Sequence, residues 1–198
     1  MADLHPLTDL ENALQQGNDE RAEGAVQSLT ANAEPALLAW LESADAERQW
    51  WAARALAHCG GAAAAPALAQ GLAAHHPALR SVAAYALGHL HQRAPDAVRP
   101  LLPQLARLLT DSDGGVRQTA ADALALCGDE AVPVLATVLQ GDHEGARTRA
   151  AASLRKIATI QAAGVLYHCL NDPNYMVHTY AYETLDDMGL LENMLITL

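Results

Sequence analysis

Phenylalanine is absent from this chain, and the remaining aromatics are only three Trp and five Tyr. A core built without large rings must be filled by smaller side chains, and here alanine and leucine dominate. Alanine is the best helix former and occupies little volume, so this composition implies helices packed at close range. Runs of β-branched residues are nearly missing, which argues against strands. No apolar run approaches the ~18 residues needed to cross a bilayer. Cysteine is scarce as well. Cys59, Cys127 and Cys169 form no CxxC pair, and an odd number gives no disulfide framework. They read as reduced, partly buried thiols. Basic residues are few, 12 Lys and Arg against 23 Asp and Glu, for a formal net charge of −11. A protein that tracks phosphates needs a basic footprint, so no nucleic-acid partner is expected. The opening "MADLHPLTDLENALQQ" is acidic and has no basic and apolar leader. It does not read as a secretion signal, and the expectation is a cytoplasmic location with no membrane association.

The charge is uneven. Residues 1–47 hold ten acids and one base, Arg21, whereas "RTRAAASLRK" gathers Arg147, Arg149, Arg155 and Lys156. Such a patch is ordinarily solvated helix surface.

Prolines reveal a repeat. Pro35, Pro66, Pro103 and Pro133 are spaced by 31, 37 and 30 residues. Arg80, Arg117 and Arg147 follow at 37 and 30, then His178 at 31, with Gln49 31 residues before Arg80. Both ladders carry the same six-residue insertion near "HQRAPDAVRP". Five units result, from "AEPALLAWLESADAERQWWAARALAHCG" to "AAGVLYHCLNDPNYMVHTYAYETLDDMG". Each contains a short apolar helix, opened in the first four units by Pro, where a missing N–H costs nothing, then a polar turn and a second helix. "DSDGG", "GDHEG" and "NDPN" are turn sequences. Asp113 and Asn174 are candidate N-caps, and Gly60, Gly128 and Gly189 close the second helices. Within repeat three, Val116, Ala120, Ala123, Leu124 and Cys127 form a helical apolar stripe. One helix pair cannot bury it, but stacked neighbours can. The expectation is an all-α chain, a right-handed α-solenoid of about five to six helix pairs. It is read as a single domain over 1–198, with a weak first unit at 7–30, five repeats over 33–189 and a C-terminal cap at 190–198.

Units such as "VPVLATVLQGDHEGARTRAAASL" resemble HEAT repeats of the short, phycobilisome-lyase-like kind, over roughly residues 33–189. The resemblance implies that Arg80, Arg117 and Arg147, at the start of their second helices, bond within and between units. Gln49 and His178 depart from that pattern. It also implies that second helices line a concave binding face. There, Trp50, Ser81, Gln118, Thr148 and Thr179 form one ladder. Arg54, Tyr85, Asp122, Ala152 and Glu183 form a second, and His58, His89, Leu126, Lys156 and Asp187 a third. Adjacent Trp50 and Trp51 project about 100° apart on a helix, so Trp50 is assigned to the groove and Trp51 to packing. Tyr180 and Tyr182 enrich the far end in aromatics.

Four of nine histidines, His75, His76, His89 and His91, fall within twenty residues, yet no HExxH or zinc-finger spacing appears. His75 and His76 belong to a turn. Only His58 and His89 occupy equivalent positions in neighbouring units. No metal or other cofactor is expected. The His-Glu pairs of a di-iron relative of this repeat class reduce here to His143-Glu144. Nucleophilic triads and phosphate loops are absent as well. The preferred function is a non-enzymatic scaffold that binds a protein partner in its groove through Trp50, Arg54, His58, Tyr85, His89, Asp122, Tyr180, Tyr182 and Glu183. The alternative implied by the resemblance is a bilin lyase or chromophore chaperone, with aromatics stacking a linear tetrapyrrole and Arg54 holding a propionate. Self-association through "LLENMLITL" is a third expectation.

Overall fold

A computed structural model describes residues 7–191 of the chain. Every regular element among the described residues is helical. The expected cap and self-association segment, residues 190–198, lies outside them from residue 192 onward. The chain divides into two compact units, Met1–Pro100 and Leu101–Leu198.

The first unit contains three helix pairs: α1 (Thr8–Gln15) with α2 (Asp19–Ser28), α3 (Glu34–Leu41) with α4 (Ala46–Cys59), and α5 (Ala64–Gly71) with α6 (Pro77–His91). The single turn α7 (Pro95–Val98) follows and accounts for the six-residue insertion. The weak segment at 7–30 is thus a helix pair like the others. Second helices pack on second helices, α2 on α4 and α4 on α6, and α3 packs on α5. Leu10, Leu37, Leu56, Leu68 and Leu87 are fully buried between the layers. Each contributes about 1.5–3 kcal/mol of transfer free energy. Alanines fill the closest approaches. A Cβ added at Gly71 would lie 2.8 Å from the Ala83 Cβ, which is why α5 and α6 can run so near each other.

The second unit repeats the plan with α8 (Leu102–Arg107) and α9 (Gly114–Leu126), α10 (Val132–Leu139) and α11 (Glu144–Ile157), and α12 (Ile160–Tyr167) and α13 (Tyr175–Asp187). Again α9, α11 and α13 pack in sequence, as do α8, α10 and α12. The apolar stripe of repeat three is buried as its spacing requires. Pro35, Pro103 and Pro133 stand in the first turns of α3, α8 and α10.

The helix ends follow local chemistry. Side chains of Asn18, Asp45, His76, Asp113, His143, Thr159 and Asn174 each accept a backbone N–H at a helix start. Asp113 and Asn174 were expected, whereas two imidazoles in this role were not. Gly128 and Gly189 have φ of +58° and +66°, the left-handed conformation that glycine adopts without penalty. In repeat four the corresponding residue is Ala158, at φ +51°. Gly60 differs from the expected pattern: its φ is −69°, and its role is close approach, since a Cβ would meet the Leu56 carbonyl oxygen at 2.6 Å.

Candidate partner-binding site

The Arg ladder sits four residues after the cap in each second helix, one turn inside, so its side chain reaches back over the preceding turn. Arg80 donates to the carbonyls of Ala74 and His75 at 3.0 and 2.9 Å. Arg117 donates to those of Asp111 and Ser112 at 2.7 and 3.0 Å. Arg147 donates to Gly141 and pairs with Asp172 of the following repeat, each at 3.4 Å. Gln49, which departs from the arginine pattern, does the same work: its amide donates to the Ser43 carbonyl at 2.7 Å. A neutral donor of the right reach therefore replaces the guanidinium in repeat one.

The residues assigned to a groove fall into two groups, one in each unit. In the first unit the Arg54 guanidinium pairs with Glu23 of the preceding repeat and lies over the Tyr85 ring, 5.1 Å from its centroid. Tyr85 in turn stacks on His89 at 4.3 Å. Burial lowers the His89 pKa below its ordinary 6.5, and the nearby Arg54 and Arg93 charges lower it further. His58 is half-buried at the equivalent place on α4. Among the described residues, no three His, Cys, Asp or Glu side chains form a group able to hold a metal ion.

Trp50 and Trp51 meet edge to face at 4.9 Å. Trp51 is 6% exposed and packs into the core, while Trp50 is only half-buried. Both border a cavity of about 710 Å³ at the N-terminal ends of α2, α4 and α6. Ala46, Ala78 and Leu79 continue its apolar wall, and Asp19, Glu20, Glu23, Glu47 and His76 stand around it.

In the second unit Asp122 accepts from Gln118 at 3.2 Å and pairs with Lys156 of the next repeat. Glu183 pairs with Arg155, whose guanidinium also lies 5.7 Å from the Tyr180 ring centroid. Tyr182, two residues on, is 50% exposed. Thus all three charged groove candidates, Arg54, Asp122 and Glu183, are engaged by a neighbouring repeat. The basic patch is largely spent the same way, through Arg147, Arg155 and Lys156.

Three features were not anticipated. Arg93, in the insertion, donates to the carbonyls of Leu56, Ala57 and Gly60 at 2.8–3.2 Å and so closes the C-terminus of α4. Ser153, fully buried, donates to the Ala121 carbonyl at 2.9 Å. The acidic rim around Trp50 was the third. Its signal was present in the ten acids of residues 1–47. Cys127, on the apolar stripe, has its thiol pKa pushed up to about 12 by burial and by Glu130, away from the thiolate form that reacts.

Two-layered stacks of short antiparallel helices, with hydrogen bonds reaching one repeat along the chain, define a helical-repeat solenoid. The match to the family model for HEAT repeats covers residues 34–107 and 102–186, and the chain belongs to that family. No curated protein matches it. Among solved structures, an engineered protein is 25% identical, with 94% of this chain and 97% of that one covered and a TM-score of 0.53. The Escherichia coli protein YibA is 16% identical over 94% and 72%, at a TM-score of 0.63. A designed armadillo repeat protein, crystallised with a (KR)4 peptide, is 16% identical over 92% and 98%, at 0.52. Among the described residues, no helix is long and apolar enough to cross a membrane.

Proposed function

We propose that this protein is a non-enzymatic scaffold, a single HEAT-repeat domain whose second helices receive a protein partner. One observation carries the reading: Trp50 is left only half-buried beside a cavity of about 710 Å³ in a chain with only three Trp. Tryptophan and tyrosine dominate interface energetics, and a ring left beside an open cavity is available for that use. Tyr85 and His89 extend the aromatic surface along the same second helices.

The phycobilisome-lyase-like reading, with a tetrapyrrole in place of a partner, asks Arg54 to hold a propionate. Arg54 is already paired with Glu23 and stacked on Tyr85. The scaffold reading is therefore preferred.

Affinity capture from the native cell tests it, comparing the native chain with Trp50→Ala and Tyr85→Ala chains by quantitative mass spectrometry. Partners that depend on this face should be depleted at least ~10-fold by Trp50→Ala. Equal recovery on all three baits would overturn the assignment of this face.

A further inference from the structure

The cavity beside Trp50 has a chemistry that specifies its occupant. Its wall is apolar, built from Trp50, Trp51, Ala46, Ala78 and Leu79. Its rim carries four carboxylates, Asp19, Glu20, Glu23 and Glu47. Glu23 is neutralised by Arg54, and the one basic group among the lining residues is the His76 imidazole, whose Nδ1 accepts the Ala78 N–H. Helix N-termini carry a partial positive charge of about half a unit each, and α2, α4 and α6 begin here, the last with no acid in its first turn. Asp19 and Glu20 in the first turn of α2 and Glu47 in that of α4 more than offset the three helix ends. An anion is thus repelled and a cation attracted, in a region where residues 1–47 hold ten acids and one base.

Apolar wall and acidic rim together suit a long side chain with an apolar stem and a cationic head. Arginine and lysine are built that way, and either head stacks on an indole face. The chain's own basic patch is engaged internally, with Arg147, Arg155 and Lys156 paired to Asp172, Glu183 and Asp122. Those three side chains are therefore not free to fill the cavity.

We infer that the cavity walled by Trp50 and Trp51 binds an arginine- or lysine-bearing segment of a partner protein. This rests on the scaffold reading above and narrows it to one partner chemistry.

The test is fluorescence anisotropy with a short labelled peptide of alternating Arg and Gly, and with its Glu and Gly counterpart. The basic peptide should bind and the acidic one should not. Trp50→Ala should weaken binding at least ~10-fold, and Glu20→Gln with Glu47→Gln about 3- to 10-fold at low salt. The second difference should shrink as salt approaches ~1 M, where charges are screened beyond ~3 Å. Glu23 is left intact because it holds Arg54, and far-UV circular dichroism confirms that each variant is folded. Binding that depends on salt but not on Trp50 would mean diffuse attraction to an acidic protein and would overturn the site. Equal binding of the two peptides, or of neither, would overturn the basic specificity. The scaffold reading would still stand if Trp50-dependent partners were captured from the cell.

Discussion

Ala158 occupies a position where its neighbours in the repeat carry glycine, and this makes a backbone effect measurable in isolation. It ends α11 at φ +51° and ψ +38°, whereas Gly128 and Gly189 hold the same left-handed conformation after α9 and α13. A Cβ in that region presses on its own carbonyl at a cost of ~1–2 kcal/mol. Glycine removes the cost but gives up ~0.4–1 kcal/mol of unfolded-state entropy. Ala158→Gly should therefore stabilise the protein by about 0.5–1 kcal/mol. The residue is exposed, so the lost methyl removes no core packing. Gly128→Ala is the mirror experiment. Nothing lies within 4 Å of the added Cβ, so its destabilisation of about 0.5–1 kcal/mol would come from backbone conformation alone. For a chain of this length each change should move the thermal midpoint by about 1–4 °C, in opposite directions. Urea unfolding of both variants and the double variant measures the effects and their additivity. If Gly128→Ala destabilises but Ala158→Gly does not stabilise, helix α11 does not end in a left-handed residue and the reasoning fails.

Two further outcomes follow from side-chain environments. The Arg147–Asp172 pair, 3.4 Å apart with side chains only 16% and 15% exposed, has a gross attraction of about 5 kcal/mol at an effective dielectric of ~20. Desolvation offsets most of it. A double-mutant cycle of Arg147→Met with Asp172→Asn should return a coupling of about 1–2 kcal/mol; the Asn retains an oxygen to accept from the Asn174 N–H. A coupling indistinguishable from zero would show that repeats four and five stack without it. His89 supplies a pH dependence. Its folded pKa lies below the ordinary 6.5 through burial, with Arg54 and Arg93 adding to it, so between the two values the unfolded chain binds the proton more readily. The stability it contributes is present above pH 6.5 and lost as pH falls through the folded pKa. Urea midpoints between pH 8 and 5 should decline less steeply in His89→Gln than in the native chain, and identical slopes would refute the assignment.

The repeat was legible because it is written twice, once in the Pro ladder and once in the Arg ladder. A period shared by two chemically different markers leaves little freedom for the fold. Asp113, Asn174, Gly128 and Gly189 stand where cap and terminator residues were expected, because both preferences are local. His76 and His143 escaped because histidine is rarely a cap. Their distance from Arg80 and Arg147 nevertheless equals that of Asp113 from Arg117, so the ladder contained the information. Arg93 was not legible. It reaches back more than thirty residues from an insertion that has no counterpart in other repeats, and no periodicity can announce such a contact.

The candidate site was legible only in part, for a physical reason. Aligning second helices tells which residues share a face, but not whether a charge on it meets solvent or the next helix. Arg54, Asp122 and Glu183 share a ladder, and each is paired by a side chain one repeat away. Stacked helices lie ~8–10 Å apart, within reach of two long charged side chains, so opposite charges on adjacent second helices close on each other before any partner arrives. An aromatic ring has no such intramolecular satisfaction to find at that distance unless it is sealed by neighbours, as Trp51 is and Trp50 is not. On a surface of this kind the residues left over for recognition are those that the stack cannot neutralise: the half-covered ring, and the first-turn acids Asp19, Glu20 and Glu47, which face the cavity beside that ring.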